Sequence, residues 1–186
     1  VNGLHAVMVL GESLKNKFGM TARWDLANAW DNGNDHGMFS QGDEPDAVPK
    51  WTPRPAFYHM YYFQKYLGDR LVASSSTSAD IVSYASSFTS GETGVTLVNK
   101  STEAKSVELS FKNFRKGNKF YWYTLTGSTD NGEFSRKTIV NAVAPTIAAG
   151  GPSSYKTISP YAASATGTVR ISVPARAVVC VVVEKK

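Results

Sequence analysis

The chain has 186 residues, of which 42% are hydrophobic and 19% are charged, and this balance excludes a disordered or collagen-like chain. Its net charge of +5 comes from Lys and Arg residues scattered along the chain rather than clustered, so we expect no nucleic-acid partner. The richest apolar run, 178–183, is far shorter than a bilayer span, so we expect no membrane partner either. The single cysteine, Cys180, excludes an internal disulfide and leaves no thiol or metal motif, so we expect no metal and no cofactor.

The first third of the chain predicts two helices separated by one strand and a long polar loop. A helix is predicted over 2–16, where apolar residues recur at the spacing of one helix face. A strand is predicted over 18–25, where apolar and polar residues alternate. Residues 27–50 are rich in Asn, Asp, Gly and Pro, and a loop of this length in a compact domain usually has a function. An aromatic helix is predicted over 53–68.

From residue 70 the pattern changes to short alternating segments separated by turn residues. These segments predict a mainly β fold, an antiparallel β-sandwich of about seven or eight strands over 70–186. The last segment is almost entirely apolar, so we expect it to be a central strand. The predicted strands cover 81–88, 95–99, 105–111, 120–125, 134–140, 168–173 and 177–183.

The two parts of the chain predict different kinds of structure. A helix–strand–helix segment cannot form a closed layer, because its single strand has no sheet to join. Either this strand joins the sandwich, or its natural neighbours lie upstream of the first residue. The chain therefore divides into a segment over 1–69 and a sandwich domain over 70–186.

Two stretches carry a resemblance to a known group of enzymes. Residues 18–26 (FGMTARWDL), with the polar loop that follows, and 54–70 (RPAFYHMYYFQKYLGDR) resemble the carboxyl end of clan A glycoside hydrolases of the arabinofuranosidase, xylosidase and glucuronoxylanase kind. The resemblance implies that 2–16, 18–25 and 53–68 are the seventh helix, eighth strand and eighth helix of a (β/α)8 barrel. Residues 70–186 would then be the ancillary β-sandwich; its similar phrases are LVNK at 97–100, WYTLTG at 122–127 and VVCVVV at 178–183.

The resemblance also implies what the chain does not carry. Retaining enzymes of this clan use an acid/base carboxylate after strand four and a nucleophile after strand seven. Both positions would precede Val1, so neither role is assigned to a residue here. We reject Glu44 and Asp46 as an acid/base pair, because no partner pattern accompanies them. We therefore expect a non-catalytic portion of a secreted bacterial enzyme, extracellular or periplasmic, that acts on β-linked plant-type polysaccharide.

Five residues of the first segment are candidates for substrate contact. Trp24 and Asp25 end the predicted eighth strand, where the resemblance implies a platform beneath the sugar; alternatively Trp24 is a core residue and Asp25 caps a turn. Trp30, Asn32 and His36 share the polar loop, where amide and imidazole groups beside an indole suit sugar hydroxyls. The alternative is a solvated loop that uses Asn and Gly for its turns. The expected partners are a polysaccharide or oligosaccharide and a preceding barrel portion.

The sandwich offers a second candidate surface. Alternation sends Trp122 to the opposite face of its strand from Tyr121 and Tyr123, so at least one aromatic ring is expected to be exposed. With Tyr155 and Tyr161, Trp122 is a candidate for stacking on sugars. This leaves two other functions open: an autonomous carbohydrate-binding module with 1–69 folded onto the sandwich, or a purely structural domain.

Overall fold

The structure is a computed structural model that describes residues 1–31, 36–128 and 133–186. It has two helices, α1 (Asn2–Lys15) and α2 (Pro55–Tyr66), with a short 3-10 turn at Pro45–Ala47. The strands are β1 (Ala27–Asn28), β2 (Phe39–Ser40), β3 (Arg70–Val72), β4 (Ile81–Ser87), β5 (Thr93–Asn99), β6 (Lys105–Leu109), β7 (Lys116–Thr126), β8 (Ile139–Val140), β9 (Tyr161–Ser164), β10 (Val169–Val173) and β11 (Val178–Lys185). The mainly β prediction is confirmed. In the described part of the chain, neither helix is long and apolar enough to cross a bilayer.

Most strands belong to one antiparallel sheet of seven. Its order is β3-β4-β5-β11-β7-β8, and β9 pairs with the other end of β7. Strand β11 lies between β5 and β7, which is the central position that its apolar sequence predicts. Strands β6 and β10 form a two-stranded antiparallel sheet, and β1 and β2 form a separate two-stranded parallel sheet.

The large sheet is covered on both faces, so the molecule has three layers. Alternation along β11 divides its side chains between two hydrophobic clusters. Val178 and Cys180 face the helices, whereas Val179, Val181 and Val183 face β6 and β10. The cluster under the helices includes residues on both sides of position 69, so the first segment and the sandwich share one core.

Helix α1 lies close to the sheet because it carries glycine at the contact. A Cβ at Gly11 would overlap the ring of Tyr84 on β4. The Tyr84 hydroxyl lies 3.3 Å from the Met8 carbonyl oxygen and 3.2 Å from Glu12 Oε1, so it donates to groups on the helix. Burial and the nearby Glu12 carboxylate raise the pKa of Tyr84, which keeps this hydroxyl protonated.

The seven-stranded sheet and the β6–β10 sheet are joined at one end by the fully buried side chain of Asn99. Its Nδ2 donates to the carbonyl oxygens of Val173, Pro174 and Glu103 at 3.1, 2.9 and 2.8 Å. Its Oδ1 accepts from the Ser101 backbone at 3.0 Å. A buried amide with all these partners fixes the end of β10 against β5.

The predicted strand over 18–25 is wrong. These residues form no regular secondary structure, and they join neither face of the sandwich. Their alternation has the period of a strand, but no neighbouring strand in the described chain offers hydrogen bonds to it. The first pairing comes later, where the Asp25 and Leu26 carbonyls accept from Met38 and Phe39 N–H at 3.0 Å each.

One further strand prediction is too long, and several short strands were not predicted. The predicted strand over 134–140 is reduced to β8 at Ile139–Val140. The short strands β1, β2, β3 and β9 have no counterpart in the sequence prediction. Each has two to four residues, too few to show a period.

Candidate functional site

Trp24 and His36, two of the predicted contact residues, line one cleft. The cleft measures about 330 Å³ and lies between α1 and the segment 21–24, with His36 and Met60 at its edge. The Trp24 side chain is 79% exposed, so its ring is available to a ligand rather than packed in the core. The alternative interpretation of Trp24 as a core residue is therefore wrong.

Arg23 fixes the segment that carries Trp24. Its Nη2 donates to Asn2 Oδ1 on α1 at 2.6 Å and to the His36 carbonyl oxygen at 2.8 Å. The Arg23 guanidinium thus connects the start of α1, the segment before β1 and His36 of the polar loop.

Asp25 lies directly after Trp24, and the peptide bond between the two is cis. Its side chain is half-buried, and within the described ranges its Oδ1 is buried without a hydrogen-bond partner. Gly37 lies against this carboxylate, and a Cβ at that position would come within 2.9 Å of Asp25 Oδ1. Among the residues that the structure describes, no side-chain hydrogen bond supports the alternative role of Asp25 as a turn cap.

Trp30 is held from two sides. Its backbone N–H donates to Asp43 Oδ2 at 2.9 Å, and the Arg136 guanidinium carbon lies 5.2 Å from the centre of its ring. Cation–π contact of this kind orients an indole without burying it completely. Asn32, which the sequence groups with Trp30, lies outside the described residues.

A buried ion pair between Arg54 and Glu44 stabilises the polar loop. Arg54, only 2% exposed, precedes α2, and its Nε and Nη2 both lie 2.9 Å from Glu44 Oε1. The same guanidinium donates to the side chain of Asn28 and, at 3.0 Å, to its carbonyl oxygen. Asn28 Oδ1 also accepts from Gly37 N–H at 2.9 Å. Arg54 therefore connects the start of α2 with Glu44 of the polar loop and with Asn28 of β1.

Arg136 extends this pair to the sandwich. Its Nη1 lies 3.7 Å from Glu44 Oε2, its Nη2 contacts the Asp46 carboxylate, and it donates to the Pro45 carbonyl oxygen at 3.1 Å. Glu44 and Asp46 thus both form ion pairs with arginines. The sequence gives no periodic signal for these contacts, because they join loops that are far apart in the chain.

The aromatic candidates of the sandwich separate into two places. Trp122 and Tyr161 are neighbours on β7 and β9, with ring centres 5.5 Å apart, and Tyr161 is 42% exposed. Tyr155 lies on the helix side of the sheet, where its ring centre is 4.9 Å from that of Tyr61. These three residues therefore do not form one surface.

The described ranges contain neither a reactive cysteine nor a cluster of metal-ligating residues. Burial raises the pKa of Cys180 to about 12, so its thiol stays protonated and unreactive. Within those ranges, no group of three or more His, Cys, Asp or Glu residues is placed to hold a metal ion.

Comparison with known proteins gives matches by fold. No family model matches the chain, and no curated protein matches it by sequence. CelM2, a bifunctional glucanase-xylanase from a metagenome library, matches 99% of this chain with a TM-score of 0.63 and 15% identity. The α-L-arabinofuranosidase from Thermotoga maritima matches 98% with a TM-score of 0.64 and 15% identity. The catalytic domain of GH30 xylanase C from Talaromyces cellulolyticus matches 98% with a TM-score of 0.58 and 15% identity.

The chain shares its fold with parts of glycoside hydrolases. The match covers 28% of CelM2, 35% of the xylanase and 38% of the arabinofuranosidase, so the chain spans about a third of their length. At this level of identity the likeness concerns the fold alone.

Proposed function

We propose that this chain is the non-catalytic carboxyl-terminal portion of a secreted glycoside hydrolase that acts on β-linked plant-type polysaccharide. The two catalytic carboxylates are supplied by a preceding barrel portion. Residues 1–69 complete that barrel, and 70–186 form the ancillary sandwich packed on it. The fold match over nearly the whole chain with about a third of several hydrolases supports this division.

The observation that carries the proposal is the exposed apolar segment 18–26. Phe18 and Met20 are 68% and 86% exposed, and Leu26 is exposed as well. Three large apolar side chains within nine residues, besides the ring of Trp24 at the cleft, are unusual on a protein surface unless something covers them.

Within the complete enzyme, the residues around the cleft contact the substrate. The exposed ring of Trp24 offers an apolar face to a sugar ring, and the half-buried carboxylate of Asp25, directly after it, accepts a hydroxyl hydrogen. His36 and Trp30 belong to the same loop system, which Arg23, Arg54 and Arg136 hold in place. These residues bind and orient the sugar, and they move no proton in the reaction.

Hydrolysis by the chain alone tests the non-catalytic assignment. We expect the purified chain to release no sugar from xylan and no nitrophenol from aryl β-xylosides or α-arabinofuranosides. The control is the Trp24→Ala variant, whose background should equal that of the parent chain. Turnover by the parent chain that the variant lacks would overturn the assignment, because it would place reacting groups within these residues.

One observation favours a second function, an autonomous carbohydrate-binding module. Trp122 and Tyr161 form a pair of adjacent rings on the sandwich, and such pairs can stack on sugars. A module would be retained by insoluble cellulose, xylan or agarose, and Tyr161→Ala would release it. The absence of retention on all three supports would discard the module.

A further inference from the structure

A second cleft lies at the far end of α2 from Trp24. It measures about 360 Å³, within the range of small-ligand sites, and we call it the tyrosine groove. Its floor is the helix-side face of the large sheet beyond the point where α2 ends. Its lining includes Lys65, Tyr66, Ser90, Glu92, Tyr121 and Tyr123.

The aromatic floor of the groove is rigid. The rings of Tyr66 and Tyr123 are stacked with centres 4.6 Å apart and an angle of 27° between their planes. The Tyr123 hydroxyl donates to the Ile158 carbonyl oxygen at 2.9 Å. Gly94 lets the end of α2 approach, because a Cβ there would lie 2.5 Å from the Tyr66 carbonyl oxygen. The rings are therefore placed before any ligand arrives.

Two polar groups, whose protonation states follow from their contacts, border this floor. The Tyr121 hydroxyl donates to Glu184 Oε1 at 2.7 Å, and this contact raises the pKa of Tyr121, so the hydroxyl stays protonated and its oxygen can accept. Glu92 Oε2 is buried without a hydrogen-bond partner in the described ranges. The Ser90 hydroxyl, a backbone N–H and Lys185 hold the pKa of Glu92 below its ordinary value, so this carboxylate is an ionised acceptor.

This combination favours a sugar over an apolar partner. The half-buried rings of Tyr66 and Tyr121, beside a carboxylate and a tyrosine oxygen, match a ring that has C–H faces and hydroxyl edges. An added peptide strand is disfavoured, because the floor is a side-chain face of the sheet and offers no strand edge. An acidic sugar is disfavoured by the Glu92 carboxylate in the lining and by Glu184 beside Tyr121, whereas the one lysine in the lining, Lys65, lies over the rings of Tyr61 and Tyr66.

We infer that the tyrosine groove binds a ring of a neutral oligosaccharide, as a second contact with the polysaccharide distant from the cleft at Trp24. The choice of ligand class rests on the proposed function, whereas the groove itself rests on the geometry above. Tyr121 forms the stacking face and the hydroxyl contact, and the part of the Glu92 carboxylate that lines the groove accepts a sugar hydroxyl.

Nitrogen-15 NMR of the chain, titrated with xylohexaose and with cellohexaose, tests this site. We expect amide shifts concentrated at 88–92 and 121–123 at millimolar oligosaccharide. Tyr121→Ala should weaken binding about tenfold, the loss expected for one aromatic contact. Ser90→Trp, at an exposed rim position, should block the groove without touching the core. Tyr161→Ala, on a different surface, is the matched control and should bind like the parent chain.

Three outcomes overturn the inference: no shifts with either oligosaccharide, shifts centred on Trp122 and Tyr161, or equal affinity in the Ser90→Trp variant. The spectrum of each variant reports whether it is folded, and Ser90→Trp keeps the test decisive if Tyr121→Ala unfolds. Failure here leaves the proposed function standing, since that function is tested by hydrolysis. Conversely, groove binding by a chain that also hydrolyses xylan would refute the proposed function alone.

Discussion

Arg54 and Glu44 form a buried ion pair, with Arg54 Nε 2.9 Å from Glu44 Oε1 and both side chains almost fully enclosed. Removing one partner of such a pair leaves an uncompensated charge in the interior. The pair lies beneath the loop that carries Trp30 and His36, so its integrity decides whether these side chains keep their places.

Arg54→Met should destabilise the protein by about 3–5 kcal/mol, because Glu44 would remain buried with only the 3.7 Å contact to Arg136. Urea denaturation measures this free energy of unfolding. The control is Arg170→Met, which breaks an exposed pair with Glu108 and should cost at most about 1 kcal/mol. Equal losses of unfolding free energy in the two variants would show that the buried pair contributes no more than the exposed pair.

Gly11→Ala should destabilise the protein although alanine favours helix. The added Cβ would overlap the Tyr84 ring, and forcing a methyl group into a packed contact costs about 1–3 kcal/mol. Gly19→Ala is the matched control, because no atom lies within 4 Å of the position where its Cβ would stand. A Gly11→Ala variant as stable as the Gly19→Ala variant would mean that α1 does not pack on Tyr84 as described.

His59 should make stability depend on pH. Burial lowers the pKa of this ring from 6.5 to about 4, although its Nδ1 lies 2.8 Å from the Pro55 carbonyl oxygen. The neutral ring is therefore favoured in the folded state, so its contribution is complete above pH 6.5 and is lost as the pH falls towards 4. The full loss is roughly 3 kcal/mol.

The measurement is the free energy of unfolding of His59→Asn and of the parent chain between pH 7 and pH 4. The variant should lose less stability over this interval than the parent. His5→Asn, at an exposed position of α1, is the control and should follow the parent curve. Parallel curves for His59→Asn and the parent would contradict the burial of a neutral ring.

The exposed segment makes a prediction about dye binding. Changing Phe18, Met20 and Leu26 to Ser should reduce binding of a hydrophobic dye and leave the free energy of unfolding within about 0.5 kcal/mol, because these side chains are solvent-exposed. Phe134→Ser, an exposed aromatic outside the segment, is the control and should change dye binding little. Destabilisation by the triple change would show that the segment belongs to the core.

The sandwich could be predicted from sequence because alternation and turn residues repeat within each short window. Strand β11 is an example, since its apolar run alone indicates the central position. The segment 18–25 shows the limit of this reasoning. Its alternation is equally regular, but a strand also needs a neighbour, and no local pattern states whether one is present.

The site was predicted only in part for a related physical reason. Exposed, chemically distinctive residues such as Trp24 and His36 can be selected from composition, and the structure brings both to one cleft. Arg54 could not be assigned a role, because its partners Glu44 and Asn28 are 10 and 26 residues away and follow no period. Tyr155 and Tyr161 lie six residues apart, but the sheet separates them.

The size of the native polypeptide tests the central claim most directly. An antibody raised against this chain would isolate the native protein for intact-mass measurement. We expect a single polypeptide with a mass well above 20.2 kDa that hydrolyses a β-linked polysaccharide. A native polypeptide of 20.2 kDa would contradict the claim, because the exposed segment 18–26 would then have no barrel to complete.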